Sequence, residues 1–121
     1  MRILVQRVYD STTASAGKRI LVDRVWPRGI KKEALHLDLW LRDVAPSTPL
    51  RKWFGHDPKR WEEFQGRYRA ELRQPPQQTQ LQVLVTIARH GPVTLLYSAR
   101  DEEHNQALAL SHVLEDSLKK K

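Results

Sequence analysis

The chain has 121 residues, 40% of them hydrophobic and 29% charged, which suits one globular domain with a real core rather than a disordered or fibrous chain. Lysine and arginine number 21 against 14 acids, a formal net charge of +7 that invites an anionic partner. With no cysteine, disulfides, thiolate catalysis and cysteine-based zinc sites are excluded; no apolar stretch approaches bilayer length and the N-terminus lacks a signal-peptide pattern, so a cytoplasmic location and no membrane partner are expected.

Ile3 to Tyr9 reads as a first strand, ended by Asp10-Ser11-Thr12-Thr13 and a small-residue loop to Gly17. A second strand covers about Lys18 to Val25, until Pro27 and Gly29 break it, and Ile30 to Ala34 suits a short helical turn. Leu35 to Leu41 alternates apolar and polar residues as a half-buried strand would, although Leu37, Trp40 and Leu41 also suit a helix face. Ser47 or Thr48 can cap a short helix running through Trp53, with Pro49 in its first turn and Gly55 at its end. Asp57-Pro58 repeats the cap-then-proline signal and opens a longer helix to about Arg73, in which Trp61, Phe64, Tyr68 and Leu72 recur at spacings of three and four. Gln74-Pro75-Pro76 stops that helix. Leu81, Leu84, Val85 and Ala88 mark the next one, closed by Gly91-Pro92. A strand from Val93 to Tyr97 follows, and Asp101 is expected to cap a final helix with Leu110, Val113, Leu114 and Leu118 inside. Strands at both ends with helices between them imply crossover connections. The expected fold is therefore α/β: a single compact domain, residues 1–121, with a small, mainly parallel sheet and helices packed on both faces.

In open α/β sheets, ligand sites lie beyond the carboxyl ends of the strands. Two apolar runs here stop on charged clusters, Asp23-Arg24-Val25-Trp26-Pro27-Arg28 and Ser98 through Asn105, and parallel neighbours would bring both to one crevice. The candidates for proton transfer are His104, His56 and Asp101; the candidates for ligand binding are Asp23, Arg24, Arg28, Arg51 and Asn105. Each has a structural alternative. Asp101 and Asp57 suit helix capping, and Asp23 with Arg24 and Arg28 suits a self-contained ion-pair network at a turn. A carboxylate beside arginines is expected to stay ionised. His104, placed in the first turn of the last helix, is expected to be neutral because the dipole there disfavours an imidazolium. The histidines show no recognised metal spacing, so no metal is expected, and no cofactor is named by the sequence.

Two readings follow. One is an anion-binding pocket at the strand ends, in a protein acting on a phosphorylated or nucleotide-like small molecule. The other is a non-catalytic basic module that binds nucleic acid or an acidic protein. Arg60, Arg67, Arg69 and Arg73 carry the second reading, but Glu62, Glu63 and Glu71 interleave them, and Glu63–Arg67 and Arg67–Glu71 are favourable helical pairs.

Arg7-Val8-Tyr9-Asp10, Val22 through Gly29, Trp40 through Ser47, Leu50 through Asp57, Arg67 through Leu72 and Val93 through Asn105 form one series of strings covering nearly the whole chain. Together they resemble the YeaO-like branch of domain-of-unknown-function family 488. The departures are small: Arg100 stands where the family often has lysine, and Val25 replaces a common leucine. The resemblance implies a compact α/β domain of bacterial or archaeal cytoplasmic type and transfers no catalytic residue. Relatives in the wider family place a Cys-His-Arg motif near the last helix; this chain has His104-Asn105 in that region and no cysteine, so no thiol chemistry carries over.

Overall fold

The computed structural model describes residues 3–10 and 17–119; the expected loop between the first two strands lies largely outside them. Four strands, β1 (Ile3–Arg7), β2 (Lys18–Leu21), β3 (Leu39–Trp40) and β4 (Val93–Tyr97), form one sheet in the order β1-β4-β2-β3. Every pairing is parallel. β4 lies inside, with Ile3 to Arg7 opposite Val93 to Tyr97 on one side and Lys18 to Leu21 opposite Val93 to Leu96 on the other. All five β4 residues are buried, which is why Val-Thr-Leu-Leu-Tyr is a continuous run rather than an alternating one.

The crossover from β2 to β3 carries α1 (Lys32–Leu35), and that from β3 to β4 carries α2 (Thr48–Phe54), α3 (Trp61–Glu71) and α4 (Gln77–His90). The last helix, α5 (Gln106–Lys119), packs against β1, β4 and α4. Side chains alternate across a strand, and the two faces are covered unequally. Ile20, Val22, Val93, Leu95 and Tyr97 meet the main core, where Phe54, Phe64, Tyr68, Leu84, Leu110 and Leu114 come down from α2 to α5. Leu21 and Leu96 face a small cluster made by Leu35 of α1 with partly buried Trp26, Ile30, Leu37 and Trp40.

The local signals explain most boundaries. Ser47 Oγ accepts from the Leu50 amide at 3.2 Å to open α2, and Gly55, at φ +54°, closes it with its amide on Arg51 O. Asp57 accepts from the Lys59 amide, but the turn it caps is a single 3₁₀ turn, Pro58–Arg60, so the expected long helix divides into that turn and α3. Phe54, Phe64 and Tyr68 stack in series, with centroids 4.4 and 5.8 Å apart, and place the apolar stripe in the core.

Three expected strands are shorter. β1, expected to run to Tyr9, ends at Arg7, with one further bond from the Val8 amide to Tyr97 O. β2 ends at Leu21; Val22 makes one more ladder bond to Leu96 O, and the chain then leaves the sheet, with Val25 62% exposed. Of Leu35 to Leu41 only Leu39 and Trp40 pair, opposite Ile20 and Leu21. Leu35 ends α1, and His36 closes that helix at φ +52°. Leu35 and Leu37 reach the small cluster from a helix end and a turn, so the alternation there is not a strand's.

Candidate functional site

A cleft of about 650 Å³ opens beyond the carboxyl ends of the strands. The end of β1, the loop after β2, α2 with its exit, the end of β4 and the start of α5 all contribute to its wall. The parallel register makes this convergence unavoidable, because the ends of β1, β2 and β4 lie side by side. Asp23, Arg24, Arg28, Arg51, His56, His104 and Asn105 line the cleft, as the sequence suggested, whereas Asp101 does not. The sequence reasoning missed Arg7, Tyr9 and Gln106, which line it too, and gave no ligand role to Ser98 and Arg100 within the second cluster. Among the described residues, five arginines (Arg7, Arg24, Arg28, Arg51 and Arg100) line the wall, and Asp23 is the only acid there.

The loop from Asp23 to Ile30 is shaped by its aromatic neighbours. Trp40 Nε1 donates to Asp23 O at 2.7 Å, Trp26 Nε1 to Ile30 O at 2.8 Å, and Tyr9 Oη to Arg28 O at 2.8 Å. Trp26 also meets Trp40 edge-on, with centroids 5.4 Å apart. These bonds leave the loop's side chains to serve the cleft.

No ion-pair network joins Asp23 to Arg24 and Arg28. Arg24 donates to the carbonyls of Ala45 and Pro46, at 2.9 and 3.1 Å, and approaches Asp43 at 3.5 Å. It therefore ties the loop to the approach to α2. Asp23 is turned inward, 6% exposed, and its Oδ1 accepts from Gln106 Nε2 at 2.5 Å. Burial pushes its pKa up; Ser98, Gln106 and the Arg51 charge pull the other way and do not overcome it. The neighbouring arginines are expected to favour the ionised form; Arg51 does so, but desolvation outweighs it and the shift runs upward.

The turn before α5 also differs from expectation. The helix begins at Gln106 and its cap is Asn105, whose Oδ1 accepts from the Leu108 amide at 2.8 Å. Asp101 caps the preceding turn instead, with Oδ1 accepting from the amides of Glu103 and His104 at 2.9 and 3.0 Å. Asn105, 1% exposed, also donates through Nδ2 to Asp101 O at 3.0 Å. His104 thus precedes the helix rather than sitting in its first turn. Its Nδ1 lies 2.9 Å from Asp101 Oδ2, and its ring stands edge-on to Trp61, with centroids 5.4 Å apart. Slight desolvation opposes ionisation of Asp101, yet the two amides and the imidazole together hold its pKa below the ordinary carboxylate value. With Nδ1 committed to that carboxylate, Nε2 is the nitrogen left for a ligand.

Arg28 and Arg51 are exposed, and neither guanidinium has a hydrogen-bond or ion-pair partner among the described residues, although Arg51 acts electrostatically on Asp23. His56 is exposed after α2 at φ +57°, a left-handed conformation that only a few per cent of non-glycine residues adopt. No group of three or more His, Asp or Glu among the described residues is placed to hold a metal ion. No helix among them is long and apolar enough to cross a membrane.

An all-parallel α/β domain with an arginine-lined cleft beyond its strand ends is the class that fold and geometry define. The chain belongs to domain-of-unknown-function family 488, in the branch described as the inactive DUF488-N3 subclade, which matches residues 2–121. It is 48% identical over 111 residues to YeaO of Escherichia coli strain K12, covering 92% of this chain and 95% of that protein. Over 113 residues it is 38% identical to Rv3073c of Mycobacterium tuberculosis strain H37Rv and to Mb3100c of Mycobacterium bovis, covering 93% of each chain. These relatives are themselves described as uncharacterised, so none lends a reaction. No solved structure matches the chain.

Proposed function

We propose that this protein binds a small anionic ligand, with a phosphate or carboxylate group, in the cleft at the strand ends. The observation that carries the reading is the charge of the wall: five arginines and two histidines against one inward-turned acid. Arg28 and Arg51 are the anion's direct partners, because their guanidiniums are not spent on the protein. Arg24 adds charge while its hydrogen bonds hold the wall together. A planar guanidinium matches a phosphate or carboxylate edge with two donors, which a lysine cannot do. His104, oriented by Asp101, offers Nε2 as a further donor, and His56 lines the same cleft.

Binding is favoured over turnover. The family branch is described as inactive, the chain has no nucleophilic thiol, and Asn105 is occupied in capping α5. The nucleic-acid reading draws less support, because α3 spends its cations internally. Arg67 pairs with Glu63 at 2.5 Å, Arg69 with Asp116 at 3.1 Å, and Arg60 and Arg67 both lie over Trp53.

Titration calorimetry with inorganic phosphate and simple organic phosphates tests the proposal. Arg28→Ala and Arg51→Ala are each expected to weaken binding by about tenfold or more, since a hydrogen bond to a charged group contributes roughly 1.5–3 kcal/mol. Binding that neither change affects would place the anion elsewhere.

A further inference from the structure

Not every arginine on the cleft wall is free to meet a ligand. Arg7 donates through Nε to Ala99 O at 2.9 Å and lies 3.6 Å from Asp10, and Arg24 is held by Asp43 and the carbonyls of Ala45 and Pro46. Arg28 and Arg51 are free, and so is a third. Arg100 is exposed, lines the cleft, and makes no hydrogen bond or ion pair among the described residues. The acids next to it in sequence do not neutralise it: Asp101 is committed to His104 and two amides, and Glu102 and Glu103 lie outside the cleft lining. Nor does Asp23, whose carboxyl is turned inward to Gln106 while burial works against its charge. Among the described residues, then, three unmatched guanidiniums share one cleft, from the loop after β2, from α2 and from the turn after β4.

Their number bears on the charge of the ligand. A phosphate monoester carries about −1.5 to −2 at neutral pH, which two guanidiniums match. Each guanidinium edge also offers two parallel donors, so two of them occupy the oxygens of a single phosphate. Arg28 and Arg51 therefore saturate one phosphate and leave Arg100 over. A cleft of about 650 Å³ is moreover the size of a site for a whole small molecule, with room well beyond one phosphate. We infer that the cleft takes a ligand with two phosphate groups, a diphosphate or a bisphosphate, in which Arg28 and Arg51 hold one phosphate and Arg100 receives the other. The inference rests on the anion-binding reading and adds to it the number of anionic groups. Arg100 is then the residue that separates such ligands from single phosphates.

Matched ligand pairs test it by calorimetry on the full chain, at one fixed salt concentration and without divalent cations. Adenosine diphosphate against adenosine monophosphate probes adjacent phosphates, and glucose 1,6-bisphosphate against glucose 6-phosphate probes separated ones. In at least one pair the doubly phosphorylated member is expected to bind about tenfold tighter, the scale of one hydrogen bond to a charged group. Arg100→Ala, which removes an exposed side chain with no partner to lose, is expected to keep the native melting temperature and to bring that pair to near parity. Arg67→Ala removes the same net charge outside the cleft lining and is expected to keep the preference. A preference confined to the adenosine pair assigns a diphosphate, and one confined to the glucose pair assigns a bisphosphate. If neither pair shows a preference in the native protein, if the preference survives Arg100→Ala, or if Arg67→Ala removes it equally, the inference falls while phosphate binding through Arg28 and Arg51 stands. If no phosphate binds, both fall.

Discussion

The Asp23 carboxyl is buried, and desolvation outweighs the Ser98 and Gln106 hydrogen bonds and the Arg51 charge that favour its ionised form, so ionising it costs the fold stability. Its pKa is raised by burial, so the folded state holds the proton more tightly than the unfolded chain does. Any stability tied to that proton is fully present below the unfolded value, near 3.8, and is lost as pH rises through the folded value. Asp23→Asn is therefore expected to raise the melting temperature at neutral pH, and the gain should vanish at pH 3, where both side chains are neutral. A variant that is less stable at pH 7 would show that the hydrogen bonds to the carboxylate outweigh its desolvation. The same position shows what a linear reading can and cannot see. Asp23 and Arg24 are adjacent and look like a pair, but although both line the cleft they find separate partners: Asp23 bonds Gln106, while Arg24 reaches Asp43 and the carbonyls of Ala45 and Pro46. Asp101 and Asn105 are both competent caps, and the buried leucines of α5 fit either start. Asn105 wins because the helix opens only at Gln106. Gln106 itself gives no sequence signal, since its role depends entirely on Asp23 arriving from 83 residues away.

At the scale of elements, the back of the cleft depends on how α2, α3 and α4 are tied together. Glu71, at the end of α3, accepts from the Ser47 amide at 2.8 Å, bonds the Ser47 hydroxyl, and accepts from Gln77 Nε2 at 3.0 Å. One carboxylate thus joins the cap of α2 to the start of α4, and it is unavailable for the helical pair with Arg67 that spacing alone suggests. Tyr68, fully buried one turn earlier, donates to Val44 O at 2.5 Å and fixes the segment before α2. Tyr68→Phe keeps the ring stack but leaves that carbonyl dry and unmatched, so denaturant unfolding is expected to show a loss of about 1–3 kcal/mol. A loss below about 0.5 kcal/mol would mean that the carbonyl finds water or another donor. Helix α4 was legible because burial follows the helical spacing of its apolar residues: Leu81, Leu84, Val85 and Ala88 are all inside. Between Leu35 and Leu41 no such repetition exists. Four helical residues, a left-handed His36 and a two-residue strand each obey local contacts that periodicity averages away.

For the whole molecule, the strand order converts separate clusters into one site. Placing β4 between β1 and β2 brings Arg7, the Asp23–Arg28 loop and the Ser98–Arg100 turn side by side, although 90 residues of sequence separate the ends of β1 and β4. The patterning marks β4, a continuous apolar run, as the interior strand, but nothing in β1 (ILVQR), β2 (KRIL) or β3 (LW) says which of them flank it. Convergence at the strand ends could be anticipated, but not the contribution of β1 and its Arg7 and Tyr9. The +7 charge, read without this geometry, fits a polyanion-binding module equally well. Salt dependence separates the two. A protein contacting six to ten phosphates loses about a thousandfold to a hundred-thousandfold in affinity between 50 and 200 mM salt. A ligand held by Arg28 and Arg51 engages two guanidiniums, so its affinity is expected to fall by about tenfold or less over that range. Arg67→Ala, which breaks an exposed pair with Glu63 outside the cleft lining, should leave it unchanged. Steep salt dependence with a short duplex oligonucleotide, weakened by Arg67→Ala and indifferent to Arg28→Ala, would move the function from the cleft to the arginine face of α3.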